Sequence, residues 1–565
     1  MLSLRMRRPS ARTRTLLVIA AVWALTTLAG LGSTSLSEPD EPRFAEATRQ
    51  MFLRSDFLTP YFNGVPRFEK PILFYWMQAP AFALLGPTET AARLPAAICA
   101  LGVLFLTFLI GERLLTRRAA LVGTLILATT FRFAVWSRQG LTDVPVLFWM
   151  MAALYWFAKS VPLGTIARRD ALLAWAALGM GALTKGPVAV LPLVIVAAYL
   201  GVTRQLHLVK RLHVLPGLLI AAALALPWYL WMAWLHGRGF FDFALGYEVV
   251  ARYGYSSTTF PTSPRSFFWY FQIYPGDAAP WTIFNVFAIG WSIWRLRSFA
   301  TDTKRAVVFL LIWFFVVVLV FSTAKFKVTH YILPAYPPAS LLAGLLLDRL
   351  FARSADAPAW LWRLPFALTM AIVAILAVVL GAFLHRVFQT PWLEAGMLMP
   401  LALGAAAIAM AVFGLRGERE RATLALVGGL AVAMAILALR VAPRELQPYQ
   451  PIRALGERVA ALADADTRVG LAGRLGGPSL IFYSRHDIAW LDSLDQIAAF
   501  LRGPGRRFCV MSQADFATLS QDPSLPLVVI DRGSFFNVRL KALFEARPNI
   551  EGRPMLLVTR GGADK

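Results

Sequence analysis

Residues 306–338, AVVFLLIWFFVVVLVFSTAKFKVTHYILPAYPP, decide the architecture. The run from Ala306 to Ser322 carries no charge and is long enough to cross a bilayer core as a helix, which takes about 17–25 residues. It ends in Lys325, Lys327, His330 and Tyr331, and a second apolar run follows. The pattern recurs along most of the chain, whose 565 residues are 58% hydrophobic and 16% charged, with a mean hydropathy of +0.59. A soluble chain would carry about a quarter charged residues. Hydrocarbon offers no water to backbone amides, so such runs read as helices. About thirteen are legible, near 15–36, 94–111, 119–136, 143–158, 170–183, 187–202, 214–235, 279–295, 306–322, 331–348, 364–385, 394–414 and 422–440.

Basic residues fall in alternate short loops, from Arg5, Arg7 and Arg8 through Arg113, Arg117 and Arg118 to Arg416, Arg419 and Arg421. That asymmetry puts the N-terminus in the cytoplasm and, with an odd number of spans, the C-terminus on the outer face. The net charge of +24 therefore reports topology and contact with anionic lipid, not nucleic-acid binding. The first run is too long for a signal peptide and reads as a span. Cys99 lies in a span and Cys509 near the C-terminus, which argues against a disulfide.

Chemistry then belongs to the outer segments 37–93, 137–143, 236–278 and 322–338, with Lys185 of LTKGP at an outer junction. Residues 41–54 set Phe44, Ala47, Met51 and Phe52 on one face, the mark of a helix lying on the membrane surface. FNGVPRFEKP supplies a turn at Asn63-Gly64 and the pair Glu69-Lys70; ILFYWMQAPAFALLG reads as a second interfacial helix. The tyrosines and arginines of 236–278 suit phosphate or sugar, or equally an aromatic belt. The chain divides at 441/442 into a membrane domain, 1–441, and an α/β domain, 442–565. In the latter TRVGLAG, SLIFYSR, DIAWLD, RRFCVMS, LPLVVIDR and PMLLVTR read as strands, PIRALGERVAALADA and LDQIAAFLRG as helices, and GLAGRLGG as a turn.

Lys325, Lys327, His330 and Tyr331 form a cradle for phosphate, and Lys70, Lys185, Arg252 and Arg265 lie on the same side. Outer loops are ordinarily poor in lysine, so a cationic outer cavity beside lipid points to an anionic lipid head group. Asp143 opens a predicted span, either as an N-cap or as partner of Arg43 or Lys70. The acidic stretch Glu38, Asp40, Glu41, Glu46 is either a set of solvated caps or a site. None of the six histidines has the spacing of a metal site, which leaves Glu69 and His330 as the candidate ligands for a divalent ion.

EPDEPRFAEA, FNGVPRFEKPILFYWMQ, TETAARLPAA, LTDVP, LTKGP and KFKVTHYILPAYPPA, in this order between 38 and 338, resemble the 4-amino-4-deoxy-L-arabinose–lipid A transferase family. These are membrane glycosyltransferases of the C superfamily, related to protein O-mannosyltransferases. The resemblance implies a polytopic α-helical fold of thirteen transmembrane helices with periplasmic interfacial helices and a periplasmic α/β domain. It implies transfer of aminoarabinose, with inversion, from undecaprenyl phosphate to a lipid A phosphate on the periplasmic face of the bacterial inner membrane. Lower lipid A charge and polymyxin resistance would follow. By the same resemblance Asp40 is the principal catalytic carboxylate, Arg43 holds Asp40 or Asp143, and Glu69 meets the sugar. Lys70, Lys185 and the Lys325–Tyr331 group hold the donor phosphate. No cofactor is expected. Glu38 and Glu46 remain caps on this reading. Two alternatives stand beside it: a related transferase acting on protein hydroxyls or another envelope lipid, and a lipid or sugar transporter. Against transport, no internal repeat or paired broken helices are evident.

Overall fold

The computed structural model describes residues 10–160, 165–242, 265–324, 326–535 and 552–561. Arg252 and Lys325 lie outside these residues, as does most of the predicted segment 236–278.

Among the described residues, eight helices are long and apolar enough to cross a membrane, from Ala11–Leu28 to Arg419–Tyr449; Leu73–Leu85, Asp143–Ala158 and Thr282–Trp294 are shorter and apolar. One of the eight, Arg168–Val202, is two elements. The backbone turns at Gly186 (φ +74°), and Leu193 packs back onto the cluster of Trp175, Ala177 and Leu178. The predicted spans 170–183 and 187–202 correspond to those two arms. The chain is a multi-pass membrane protein.

The predicted span 119–136 is not continuous: Arg117–Ala128 ends, and a short helix Phe131–Trp136 begins. Thr129 and Thr130 each turn a hydroxyl back on a carbonyl one turn earlier, of Leu125 and Ile126, both at 2.8 Å. The Phe131 amide leaves the helix for the Ala279 carbonyl at 3.0 Å. Local hydroxyl–backbone bonds of this kind compete with the ladder and bend or end it.

At the centre, Tyr336–Phe351 is buried along almost its whole length and crosses Arg117–Ala128 at glycines. A Cβ on Gly344 would lie 2.2 Å from the Ala119 carbonyl oxygen, and one on Gly123 would lie 2.7 Å from that of Ser340. Small residues let membrane helices approach this closely.

The segment after the first span forms the surface helix Asp40–Arg54, with Phe44, Ala47 and Met51 buried. Phe52 is instead exposed, and Glu46 is fully buried rather than a solvated cap. Its carboxylate accepts from Arg49 Nε at 2.8 Å and from Gln50 at 2.7 Å. A hairpin follows, β1 (Tyr61–Phe62) and β2 (Val65–Pro66), turning at Asn63 and Gly64, both at positive φ. Leu73–Leu85 is the second expected helix.

The last long helix runs on to Leu446, and an α/β unit begins at Pro451. Its strands are β3 (Arg468–Ala472), β4 (Ile488–Leu491), β5 (Arg507–Ser512), β6 (Leu527–Phe535) and β7 (Arg553–Arg560), in the order β4-β3-β5-β7-β6. β4, β3 and β5 are parallel, and β7 runs antiparallel to both of its neighbours, β5 and β6. Apolar clusters cover both faces, Ile452, Leu455 and Val459 on one and Ile497 and Leu501 on the other. SLIFYSR is a helix, Gly477–Ser484, not a strand. Pro478 in its first turn suits a helix start, and burial on all sides explains its lack of helical periodicity. Cys99 and Cys509 are free and buried.

Replacing Gly344 with Ala should lower the melting temperature in detergent, because overpacking costs about 1–3 kcal/mol. An unchanged melt would mean that the crossing is looser than this.

Candidate active site

The helix at residue 40 begins with two neighbouring acids that do different things. Glu41 turns inward. Its Oε1 accepts from Arg93 Nε at 3.0 Å and from the Gly140 amide at 2.5 Å, while Oε2 accepts from Arg93 Nη2 and the Ser37 amide at 2.8 and 2.7 Å. Burial disfavours its charge, but Arg93 and these donors hold the carboxyl below the ordinary carboxylate range. Asp40, one residue earlier, keeps 55% of its side chain exposed, 4.0 Å from Arg43.

Arg43 continues to Glu69, at 3.9 Å. Glu69 takes Arg67 through Nη2 at 2.7 Å and Nε at 3.0 Å. Burial raises the Glu69 carboxyl, and Arg67 followed by Arg43 more than offset it, leaving it below its usual value. Arg67 itself is buried, with its guanidinium over the Phe44 ring at 4.5 Å. Arg43 Nε and Arg67 Nη1 are buried with no hydrogen-bond acceptor among the described residues. The sequence reading passed over Arg67. Its signal was present in PRFEK, a third charge in a proline-bounded turn.

Asp143 opens the helix Asp143–Ala158, but its partners are Lys185, at 2.5 Å, and His330 Nε2, at 3.4 Å. That corrects the expectation of Arg43, while Lys70 lies near enough to act on the Asp143 charge: the reversal at Gly186 brings Lys185 over the helix start. Lys185 also sits over the Tyr331 ring at 5.5 Å. Lys70 Nζ donates to the Glu69 carbonyl at 2.8 Å. Lys70, Asp143, Lys185, His330 and Tyr331 border one cavity of about 370 Å³. Its remaining wall is apolar, including Val190 and Val194 on the exposed flank of the bundle.

Two expected cradle residues are elsewhere. Lys327 donates to the carbonyls of Ala324 and of Arg265, the latter at 3.1 Å, and Arg265 stacks on Trp269 at 4.1 Å. They brace the loop instead of lining the cavity. Glu69 faces arginines while His330 faces Asp143, and among the described residues no three His, Cys, Asp or Glu converge on one point.

Behind His330 lies a layer not anticipated from the sequence. Trp136 stacks on the imidazole at 4.8 Å and 26°, the Arg132 guanidinium lies over the indole at 4.9 Å, and Arg132 is paired with buried Asp277. An arginine inside an apolar run, in FRFAVW, was the available signal.

A family model described as dolichyl-phosphate-mannose-protein mannosyltransferase matches residues 69–231. A Pseudomonas fluorescens protein named undecaprenyl phosphate-alpha-4-amino-4-deoxy-L-arabinose arabinosyl transferase 2 is 30% identical over 347 residues, 59% of this chain and 56% of that one. A similarly named protein of Pectobacterium carotovorum is 30% identical over 389 residues, 66% of each chain. The fold is similar to that of ArnT from Cupriavidus metallidurans bound to undecaprenyl phosphate: TM-score 0.75, 21% identity, covering 98% of this chain and 100% of that one. The chain is thus similar to these arabinosyl transferases in sequence over 59–66% of its length, and to ArnT in fold over nearly all of it. It spans 56% and 66% of the lengths of the two curated relatives.

Glu41→Gln should destabilise the protein by about 3–5 kcal/mol, since it strands a buried guanidinium. Because the Glu41 carboxyl lies below its unfolded value of about 4.3, the pair contributes at neutral pH. That contribution is lost as pH falls below this range. Melting curves of wild type and variant that converge in acid would confirm the sign; a constant gap down to acid pH would contradict it.

Proposed function

We propose that the protein transfers 4-amino-4-deoxy-L-arabinose from undecaprenyl phosphate to a phosphate of lipid A, on the periplasmic face of the inner membrane. The N-terminus would then be cytoplasmic and the α/β domain periplasmic. The observation that carries the reading is the cavity of about 370 Å³, with Lys70 and Lys185 against Asp143, the single acid among its described residues, at one end and an apolar wall reaching the exposed Val190 and Val194. A polyprenyl phosphate has those two halves. The names of the relatives support the sugar and the carrier.

On this reading the donor phosphate lies against Lys70, Lys185 and Tyr331, and its chain runs past Val190 and Val194. The sugar then reaches Asp40, Arg43 and Glu69. An acceptor phosphate oxygen attacks the anomeric carbon as the bond to the donor phosphate oxygen breaks, so that the polyprenyl phosphate leaves as an anion. A phosphate acceptor is largely ionised near neutral pH, its second pKa being about 6. Asp40 therefore need not remove a proton; it stabilises the positive charge that develops on the amino sugar. Lys185 does the reverse for the leaving phosphate, and Asp143 with His330 holds its ammonium in place.

Asp40→Asn should lower turnover roughly 100- to 1,000-fold, the range for loss of one preorganised electrostatic group, with donor affinity retained. Near-normal turnover would remove Asp40 from the role. Transfer should persist in EDTA; a loss restored by added zinc would assign a metal instead. Mass spectrometry of lipid A from cells with and without the protein decides the acceptor. A pentosamine on phosphate supports the reading. A glycosylated protein hydroxyl would move it to the mannosyltransferase-like reaction that the match over 69–231 suggests, with Asp40 as general base.

A further inference from the structure

The five residues that lead into Asp40 make few bonds to each other and several to the far end of the chain. The Ser35 amide donates to Gln447 Oε1 at 2.7 Å, and the Ser35 hydroxyl to Gln450. The Leu36 amide donates to the Tyr483 hydroxyl at 2.9 Å, and that hydroxyl donates to Glu89 at 3.0 Å. The Glu38 carboxylate accepts the Ser479 amide at 2.6 Å, near the start of the buried helix Gly477–Ser484. Arg453, from the first helix of the α/β unit, reaches Glu89 at 2.8 Å.

The same unit grips a second carrier. Asn63, at the tip of the hairpin, uses both ends of its amide on one residue of β4. Its Nδ2 donates to the Ile488 carbonyl at 3.1 Å, and its Oδ1 accepts the Ile488 amide at 2.7 Å. That hairpin leads directly into Arg67 and Glu69. One sheet domain thus holds, within its own rigid frame, the two backbone segments that present Asp40 and the Arg67–Glu69 pair. Neither segment belongs to a membrane helix.

We propose that the α/β domain is a positioning element of the reaction: by bonding Leu36, Glu38 and Asn63 it sets where Asp40 stands relative to Arg67 and Glu69. The inference rests on the glycosyl-transfer reading above. Misplacement of a reacting group by about 1 Å can cost on the order of 100-fold in rate, so small losses of register here appear in turnover. Of the donor-phosphate residues, Lys185 and Tyr331 stand on other elements than these bonds, whereas Lys70 follows Glu69 on the segment that Asn63 holds.

The test uses full-length protein in detergent with polyprenyl-phosphate aminoarabinose and lipid A. Tyr483→Phe removes the bond to Leu36 but keeps the ring, and Asn63→Ala removes both bonds to Ile488. Each should lower kcat by about tenfold, with the donor KM unchanged in Tyr483→Phe. Glu38→Ala should behave likewise, and Glu38→Gln, whose amide oxygen still accepts from Ser479, should restore wild-type kcat. If Tyr483→Phe and Asn63→Ala melt earlier but turn over within twofold of wild type, the domain is only a structural attachment and the proposal fails. If Glu38→Gln is as slow as Glu38→Ala, the Glu38 charge acts directly and positioning is the wrong account of it. Wild-type protein inactive with this donor would refute the transfer reading. Hydrogen exchange then still tests the hold: faster exchange at residues 35–41 in Tyr483→Phe supports it, and no change overturns it.

Discussion

Everything at the domain-bearing face depends on one guanidinium. Arg93 has five N–H groups and all five are taken: two by Glu41, and the others by the carbonyls of Leu31, Thr34 and Ser35. Those carbonyls belong to the stretch where the first span ends and the chain must turn onto the surface. A buried ion pair is costly to assemble unless every donor and acceptor is satisfied, and here each is. The result is a fixed exit from the membrane. Asp40 follows Glu41's anchor by geometry, because adjacent residues on a helix point about 100° apart. Anchoring one acid inward aims the other outward.

The charged residues of this face then divide by whether protein alone satisfies them. Glu46 with Arg49, and Lys327 with its two carbonyls, are closed within the fold. Arg43 and Arg67 are different, since each has a buried N–H aimed at no protein acceptor among the described residues. Buried donors left in that state cost free energy, and an anionic or hydroxyl-rich ligand would recover it. Arg132 Nε and Asp277 Oδ2, in the layer behind His330, are left in the same state, so on this face the open groups lie at the candidate site and in the layer behind it.

That division also shows how much was readable beforehand. The apolar runs and the surface helix at 41–54 were legible because each depends on local pattern: run length in one case, spacing of Phe44, Ala47 and Met51 in the other. So was the convergence of Lys70, Asp143, Lys185, His330 and Tyr331 on one face, since topology alone delivers them to the same side. Partner choice was not legible. Asp143 takes Lys185 because a helix reverses at Gly186, and no local spacing encodes that. Glu46 looked like a cap because burial against a neighbouring helix is a tertiary fact. SLIFYSR looked like a strand because a helix buried all round loses its periodicity. The grip of Tyr483 on Leu36 spans most of the chain and leaves no trace in either segment.

The division of labour follows from where each part can be rigid. Membrane helices pack tightly through glycines such as Gly123 and Gly344, so groups placed on their ends, Asp143 and Lys185 among them, are fixed by the bundle. Asp40, Arg67 and Glu69 cannot be fixed that way, because they sit on a surface helix and a short hairpin beyond the hydrocarbon. A two-stranded hairpin is marginal alone, and the surface helix already shares an apolar cluster with the sheet domain, Ala45 with Phe482 and Tyr483. Such elements need a second body to pin them, and the sheet domain reaches both through Ser479, Tyr483 and Ile488. On the glycosyl-transfer reading this is the reason the fold carries a soluble domain at all. The bundle fixes Asp143 and Lys185, and the domain fixes the segments that carry Asp40, Arg67 and Glu69.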